Sequence, residues 1–148
     1  MKTWLMRFYV YLLAISSITT VLVYLINLPE FITNAPDLIY EYYYKNPIKT
    51  FILDIFLVAI YIAISMLITK FFNIDINNNV KQLLVVASTT TLISGLFMIY
   101  FTSIKKSNSF FYRWFNTVSY KAIIYDVIIV CSVFTTMMIL SDKIKNFQ

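Results

Sequence analysis

Four long apolar stretches, separated by more polar segments, form the main pattern of this chain. They predict membrane-spanning helices at about residues 8–28, 50–69, 82–101 and 122–141. Each holds about 20 mostly apolar residues, which is the length that crosses the roughly 30 Å hydrocarbon core of a bilayer as a helix. The pattern therefore predicts an all-α protein, an integral membrane four-helix bundle that forms one transmembrane domain over residues 1–148.

The second and fourth stretches share one design. The second begins KTFILDIF and the fourth begins KAIIYDVI, so each carries one carboxylate, Asp54 or Asp126, shortly after its start. The first and third stretches match in the same way, as LLAISSITT against LLVVASTTT. These matches predict two parallel helical-hairpin repeats, at about residues 1–72 and 73–148. An axis along the membrane normal would relate the two hairpins.

Aromatic residues are concentrated in the two long loops, within DLIYEYYYKN and SFFYRWFNTVSY. Tyrosine and tryptophan favour the membrane–water interface, where the ring lies in lipid and the polar group in water. The loops are therefore predicted to form interfacial aromatic helices. A surface that stacks a ligand or docks a partner is the alternative for the first of them. The predicted anchors are Tyr40, Tyr42, Tyr43, Tyr44, Tyr112, Trp114 and Phe115.

The two carboxylates within the apolar stretches are the candidate site. An Asp at the centre of a membrane helix costs about 2.5–3.5 kcal/mol on insertion scales, so Asp54 and Asp126 should face a partner rather than lipid. One interpretation is structural: each acid accepts hydrogen bonds and fixes the fold. The other is functional, with the pair forming a proton or cation site. The candidate partners are Lys49, Lys121, Arg113 and Tyr61.

Small residues at helical spacing predict where the membrane helices approach one another. Ala87, Thr91 and Gly95 follow each other every four residues on the third helix, and Ala59 and Ala63 do so on the second. Small side chains on one face let two helix backbones come close together. We therefore expect helix packing at both faces.

Composition narrows the class of protein. Hydrophobic residues make up 60% of the chain and charged residues 13%, whereas soluble domains carry about 25% charged residues. The chain has no His, one Gly and one Cys. These counts exclude a His/Cys zinc cluster, a Cys–His dyad, an internal disulfide and a glycine-rich phosphate loop. No metal, cofactor or enzymatic activity is therefore expected.

The basic residues point to the membrane surface. The net charge is +5, but the Lys and Arg residues are spread over all the loops. Contact with lipid headgroups is therefore expected, and binding of nucleic acid is not. On the predicted topology the basic residues divide equally between the two sides of the membrane, so the excess of positive charge that marks the cytoplasmic side is missing and the orientation stays open.

These observations predict a non-enzymatic multi-pass membrane protein with a structural, assembly or accessory role. Its expected partners are the lipid bilayer and other membrane proteins or further copies of itself. The alternative is an oligomeric pore or transport protein that conducts protons or cations through Asp54 and Asp126, since the first and third helices are rich in hydroxyl side chains.

The chain is rich in Ile, Asn, Lys, Tyr and Phe, with segments such as YEYYYKNPIKTFILDIF and WFNTVSYKAIIYDVIIV. In this usage and in its helix layout it resembles small four-helix polytopic membrane proteins of large cytoplasmic DNA viruses. It is also similar to small accessory subunits of mitochondrial membrane complexes in AT-rich protists. The first resemblance implies a virion or host-derived membrane, and the second implies the mitochondrial inner membrane. Neither implies catalytic residues.

Overall fold

The computed structural model describes residues 3–75 and 78–146, and all regular structure within them is helical. Residues 1, 2, 76, 77, 147 and 148 of the predicted domain and repeats lie outside the described residues. The elements are α1 (Thr3–Thr19), which continues as a π-helical segment (Thr20–Leu25), α2 (Leu28–Thr33), α3 (Pro36–Ile39), which continues as a second π-helical segment (Tyr40–Tyr44), α4 (Pro47–Phe71), α5 (Asn79–Ser103), α6 (Phe110–Val118) and α7 (Tyr120–Asn146).

Four helices are long and apolar enough to cross a membrane. They cover Trp4–Leu25, Pro47–Phe71, Asn79–Ser103 and Tyr120–Ile144. The prediction of an all-α chain with four such helices is confirmed. Large apolar side chains are exposed on the outer surfaces of these helices, for example on α4 and α5. A soluble protein would have more polar groups on such surfaces. The four helices are therefore consistent with an integral membrane location.

Local sequence sets where the helices begin. α4 begins at Pro47, because proline fixes a helical φ and its missing N–H would have no partner in the first turn. α5 is capped by Asn78, whose side chain accepts a hydrogen bond of 3.0 Å from the backbone N–H of Lys81. Ser109 caps α6 in the same way, accepting from the N–H of Tyr112 at 3.3 Å.

Asparagine makes most of the sharp bends between helices. Asn27, Asn34 and Asn73 have φ values of 54°, 52° and 50°, and Ser119 has 55°. Glycine favours this left-handed region most, and asparagine tolerates it better than other residues do. The chain has one glycine, Gly95, and it lies within α5. Asparagine therefore occupies most of the positions with positive φ. The first long apolar helix therefore ends before residue 28, because Asn27 has a positive φ.

Hydroxyl side chains bond back along α1 before its change of helix type. Ser16 donates to the carbonyl of Leu12 at 2.7 Å, and Thr20 donates to the carbonyl of Ser16 at 2.8 Å. Such bonds compete with the regular hydrogen bonds of the helix. The chain changes to π-helical geometry at Thr20.

The four long helices form a ring in the order α1, α7, α5 and α4, and α4 also contacts α7 across the centre. The bundle core includes Ile15 of α1, Val86 of α5 and Val133 of α7, all of them almost fully buried. We use the name loop cap for α2, α3 with the segment Tyr40–Tyr44, and α6, which together cover one end of the bundle.

A second core joins the loop cap to the bundle. Ile39, Tyr43, Trp114 and Phe115 come from the cap, and Tyr125 comes from α7. All five side chains are buried. The long loops are thus packed onto the ends of the four long helices.

Candidate functional site

Asp54 of α4 and Asp126 of α7 line one cavity, which has a volume of about 260 Å³. The cavity lies between α4, α5 and α7 at the end of the bundle that the loop cap covers. Both aspartates are half-buried. Most of the remaining wall is aromatic and comes from α5, α7 and the loop cap. Two acids that lie 72 residues apart in sequence therefore line the same cavity.

Tyr42 is the hydrogen-bond donor to Asp54. Its hydroxyl donates to Oδ1 of Asp54 at 2.8 Å, and its ring stacks on Phe110 at a centroid distance of 4.7 Å. The hydroxyl of Thr50 donates to the backbone carbonyl of Tyr42 at 2.5 Å. Burial and the neighbouring Asp54 raise the pKa of Tyr42 well above its ordinary value. The phenol therefore stays protonated at neutral pH and remains a donor.

Ser94 is the hydrogen-bond donor to Asp126. Its hydroxyl, on α5, donates to Oδ2 of Asp126 on α7, and the side chain of Ser94 is fully buried. Thr90 lies one turn earlier on the same face of α5 and is also fully buried. The Thr90 hydroxyl bonds to no other group of the described residues. α5 thus presents two buried hydroxyls on the face that meets α7.

A pair of tyrosines connects the loop cap to α7 beside the acids. The hydroxyls of Tyr43 and Tyr125 are 2.6 Å apart and both side chains are buried. Tyr24 also donates to the backbone carbonyl of Tyr43, at 3.2 Å. Burial raises the pKa of Tyr43 well above its ordinary value, so this phenol is also neutral.

An ion pair connects the two halves of the loop cap. Both terminal nitrogens of Arg113 on α6 bond to the carboxylate oxygens of Glu41, each at 2.6 Å. The hydrogen bond from Arg113 lowers the pKa of Glu41 below its usual value. Arg113 is thereby held by Glu41 and donates to neither aspartate of the cavity.

The other proposed partners of the acids lie in different places. Tyr61 lines the cavity beside both acids, and its backbone carbonyl accepts a hydrogen bond from Ser65. Lys49 is exposed and Lys121 is half-buried. Neither lysine forms an ion pair within residues 3–75 and 78–146. The acids therefore meet hydroxyl donors rather than cations.

The loop aromatics divide into two groups by burial. Tyr40 and Tyr44 are exposed and stack on each other at 6.0 Å, whereas Tyr42 and Tyr112 are half-buried. The remaining three proposed anchors, Tyr43, Trp114 and Phe115, are buried in the core between the loop cap and the bundle. Their depth relative to a bilayer stays a prediction.

The small residues also lie in different surroundings. Ala59 packs against the bundle core, and Ala63 is exposed. Ala87 is half-buried and Thr91 is exposed. A Cβ added at Gly95 would meet no atom within 4 Å. The face of α5 that carries Gly95 is therefore not closely packed within the chain.

Sequence reasoning did not identify Ser94 as a donor. The repeat predicts equivalent surroundings for the two acids, but Tyr42 corresponds to Trp114 in the second hairpin, and Trp114 has no hydroxyl. The donor to Asp126 comes from α5 instead. The sequence feature that indicates this donor is the spacing of Thr90 and Ser94, which places two hydroxyls one turn apart on a single face of α5.

Comparison of the chain with protein-family models, with curated proteins and with solved structures gives no match. Within the described residues, no three His, Cys, Asp or Glu side chains are grouped so as to hold a metal ion. The chemistry available at the site is hydrogen bonding by two carboxyls and four phenols, within a mostly aromatic wall.

Proposed function

We propose that the chain is a non-enzymatic multi-pass integral membrane protein with a structural or accessory role in a membrane or membrane complex. The main support is that each of its two aspartates accepts a hydrogen bond from another part of the fold. Asp54 accepts from Tyr42 of the loop cap, and Asp126 accepts from Ser94 of the neighbouring helix. The hydrogen bond at each acid thus connects two separate parts of the fold, as a structural hydrogen bond does.

The outer surface supports contact with lipid or with other membrane proteins. Phe56 on α4 and Leu92 on α5 are 64% and 66% exposed. Outside a bilayer, such a surface would cost about 25 cal/mol for each Å² of apolar area left in water. The proposed partners are accordingly the bilayer and other membrane proteins or further copies of the chain, and not nucleic acid.

We also propose that the fold arose from two parallel hairpins. Three pairs of positions 72 residues apart support this proposal: Glu41 bonds Arg113, and the pairs Asp54/Asp126 and Val58/Val130 line one cavity. In the ring of helices, α1 lies opposite α5 and α4 lies opposite α7, as a two-fold axis at the centre requires. The two hairpins differ in packing, because α5 packs closely on α7 whereas α1 and α4 make little contact.

The accessory role is tested by what the protein binds in its own membrane. The protein is cross-linked in native membranes through the Lys residues of its loops and then purified in mild detergent. We expect a defined complex with other membrane proteins or with copies of itself. A protein that stays monomeric and cross-links to nothing would contradict the accessory role.

Conduction of protons or cations is the second candidate function, because both acids line one cavity. The buried hydroxyls of Ser94 and Thr90 continue along α5 away from the acids, and Ser65 of α4 is buried as well. These hydroxyls are candidates to relay a proton through the bundle.

Flux into liposomes tests this second candidate. A conducting protein should lose flux in the variant that carries both Asp54→Asn and Asp126→Asn, and should keep it in Asp37→Asn, where an exposed loop acid is changed. Flux equal to that of empty liposomes in the unmodified protein would exclude conduction.

The resemblance in composition leaves two membranes as proposed locations. A virion or host-derived membrane follows from the viral resemblance, and the mitochondrial inner membrane follows from the protist resemblance. Imaging of a tagged copy in the source cell distinguishes between them.

A further inference from the structure

The cavity wall carries two carboxyl groups, and the described residues place no cationic side chain beside them. Within residues 3–75 and 78–146, Asp54 and Asp126 are the acidic residues of the cavity wall, and no Lys or Arg lines it. Arg113, on the cap helix α6 that contributes to the wall, is engaged by Glu41. An ionised carboxylate in this space therefore has no counter-ion among the described residues.

The acids also keep capacity to accept further hydrogen bonds. Each accepts one bond from a hydroxyl, through Tyr42 or Ser94, whereas a carboxylate has about four acceptor sites. A hydroxyl donor stabilises a carboxylate without cancelling its charge. Both acids line the cavity, so a molecule inside it lies beside groups that can accept further hydrogen bonds.

The aromatic wall adds a second attraction for positive charge. An ammonium group over the face of an aromatic ring gains about 0.5–1 kcal/mol at exposed sites and about 2 kcal/mol or more when desolvated, with Trp the strongest. Trp114, Tyr61 and Tyr125 line the cavity together with the acids. Trp114 stacks on Phe110 at 5.7 Å and lies edge-on to Tyr125 at 6.4 Å, so these rings are held in position by their neighbours.

These walls suit an organic cation better than a metal ion. Calcium needs about six to eight oxygen ligands, and the wall is mainly carbon. An ammonium group with alkyl or aryl substituents is weakly hydrated and can contact rings and carboxylates together. The volume of about 260 Å³ lies just below the range of about 300–1,000 Å³ found for small-molecule pockets.

We propose that the cavity binds a small hydrophobic organic monocation, a substituted ammonium group whose charge lies against Asp54 and Asp126 and whose substituents contact the aromatic wall. This chemistry has two sources, a free amine or the choline headgroup of a lipid. The site is additional to the structural role, because the acids keep their hydrogen bonds to Tyr42 and Ser94 while they face the cation.

Fluorescence of Trp114 provides a direct test in detergent micelles. The chain has two tryptophans, and Trp4 is 64% exposed, so Trp4→Phe leaves Trp114 as the single reporter. The probe is benzyltrimethylammonium, and the matched control is neopentylbenzene, which has the same shape without the charge. We expect saturable quenching by the cation, with the neutral analogue weaker by at least about tenfold, or about 1.4 kcal/mol.

Charge removal should abolish that preference. Asp54→Asn with Asp126→Asn keeps an acceptor for Tyr42 and for Ser94, and should weaken binding of the cation by at least about tenfold, or about 1.4 kcal/mol, without weakening the neutral analogue. Asp37→Asn is the matched control and should bind as the unmodified protein does. Equal binding of cation and neutral analogue, or binding that is unchanged in the double variant, would overturn the proposal.

Two further arms complete the test. Ile129→Phe places a larger side chain in the cavity wall on α7 and leaves both acids in the sequence, so it should weaken binding of the cation. This variant tests the site independently if the double Asn variant fails to fold, and unchanged binding in it places the probe elsewhere and overturns the proposal. Added phosphatidylcholine that competes with the probe, where diacylglycerol does not, identifies a lipid headgroup as the natural source. Lack of competition by either lipid excludes the lipid headgroup and leaves a free amine as the proposed source.

Discussion

Glu41 and Arg113 correspond to each other in the two proposed hairpins, and they bond directly to each other through two contacts of 2.6 Å. The two equivalent positions carry opposite charges, and these charges form an ion pair. A two-fold axis brings equivalent residues together only where they lie close to it. The pair is therefore the point at which the two halves of the loop cap meet.

The ion pair should make the stability of the loop cap depend on pH. Arg113 lowers the pKa of Glu41 below its ordinary value of 4.5, so the stabilisation is fully present above about 4.5 and is lost as the pH falls through the lower folded pKa. The unmodified protein should have a slightly higher Tm than Glu41→Gln at pH 7, and the difference should vanish in strong acid. Thermal unfolding in detergent measures both. A difference that is constant with pH would show that the charge of Glu41 is irrelevant.

The hydroxyl of Tyr42 should matter through Asp54. Tyr42→Phe keeps the ring that stacks on Phe110 and removes the donor, which leaves a half-buried carboxylate without its partner. We expect a loss of about 1–3 kcal/mol in the free energy of unfolding. Tyr40→Phe removes a hydroxyl from an exposed ring nearby and should change little. Equal effects of the two substitutions would contradict a role for the bond to Asp54.

Ser94 should stabilise the contact between α5 and α7. Ser94→Ala removes the donor to Asp126 and should cost about 1–3 kcal/mol, whereas Ser88→Ala, at an exposed position of the same helix, should cost little. In a double-mutant cycle with Asp126→Ala, which removes the acceptor, the two effects should not add, because the residues share one bond. Additive effects would show that Ser94 and Asp126 act independently.

The Tyr43 and Tyr125 hydroxyls should compensate for each other when both are removed. Tyr43→Phe or Tyr125→Phe alone leaves one buried hydroxyl without its partner, at a cost of about 1–3 kcal/mol, whereas removing both partners is often nearly neutral. The double variant should therefore be more stable than the sum of the single effects. Denaturant unfolding of the four proteins measures the coupling, and a double variant that loses the full sum would refute it.

Hydrophobic length was sufficient to predict the four long apolar helices, because a run of about 20 apolar residues is typical of a helix that can span a bilayer. The helix bounds depended on single residues. Pro47 starts α4 earlier than residue 50, and Asn27 ends the first membrane helix before residue 28. Caps and bends of this kind act within one turn, so an apolar run alone does not reveal them.

The candidate site was predictable in part. An acid within an apolar stretch must find a partner, so Asp54 and Asp126 were recognisable from sequence. Their donors were not, because Tyr42 and Ser94 reach them only through the packing of separate helices. The surroundings of the loop aromatics were not predictable from sequence either, because an aromatic ring fits a membrane–water interface and a protein core equally well. Trp114 and Phe115 are buried because the loop cap folds back onto α7.

The contact between Tyr43 and Tyr125 carries a consequence for biosynthesis. The two residues are 82 positions apart, and at about 5–20 residues per second the ribosome needs roughly 4–16 s to make the chain between them. During that interval the first aromatic loop has been synthesised while the helix that buries it has not. The order of translation thus places the closing of the contact between Tyr43 and Tyr125 after the synthesis of α7 has begun.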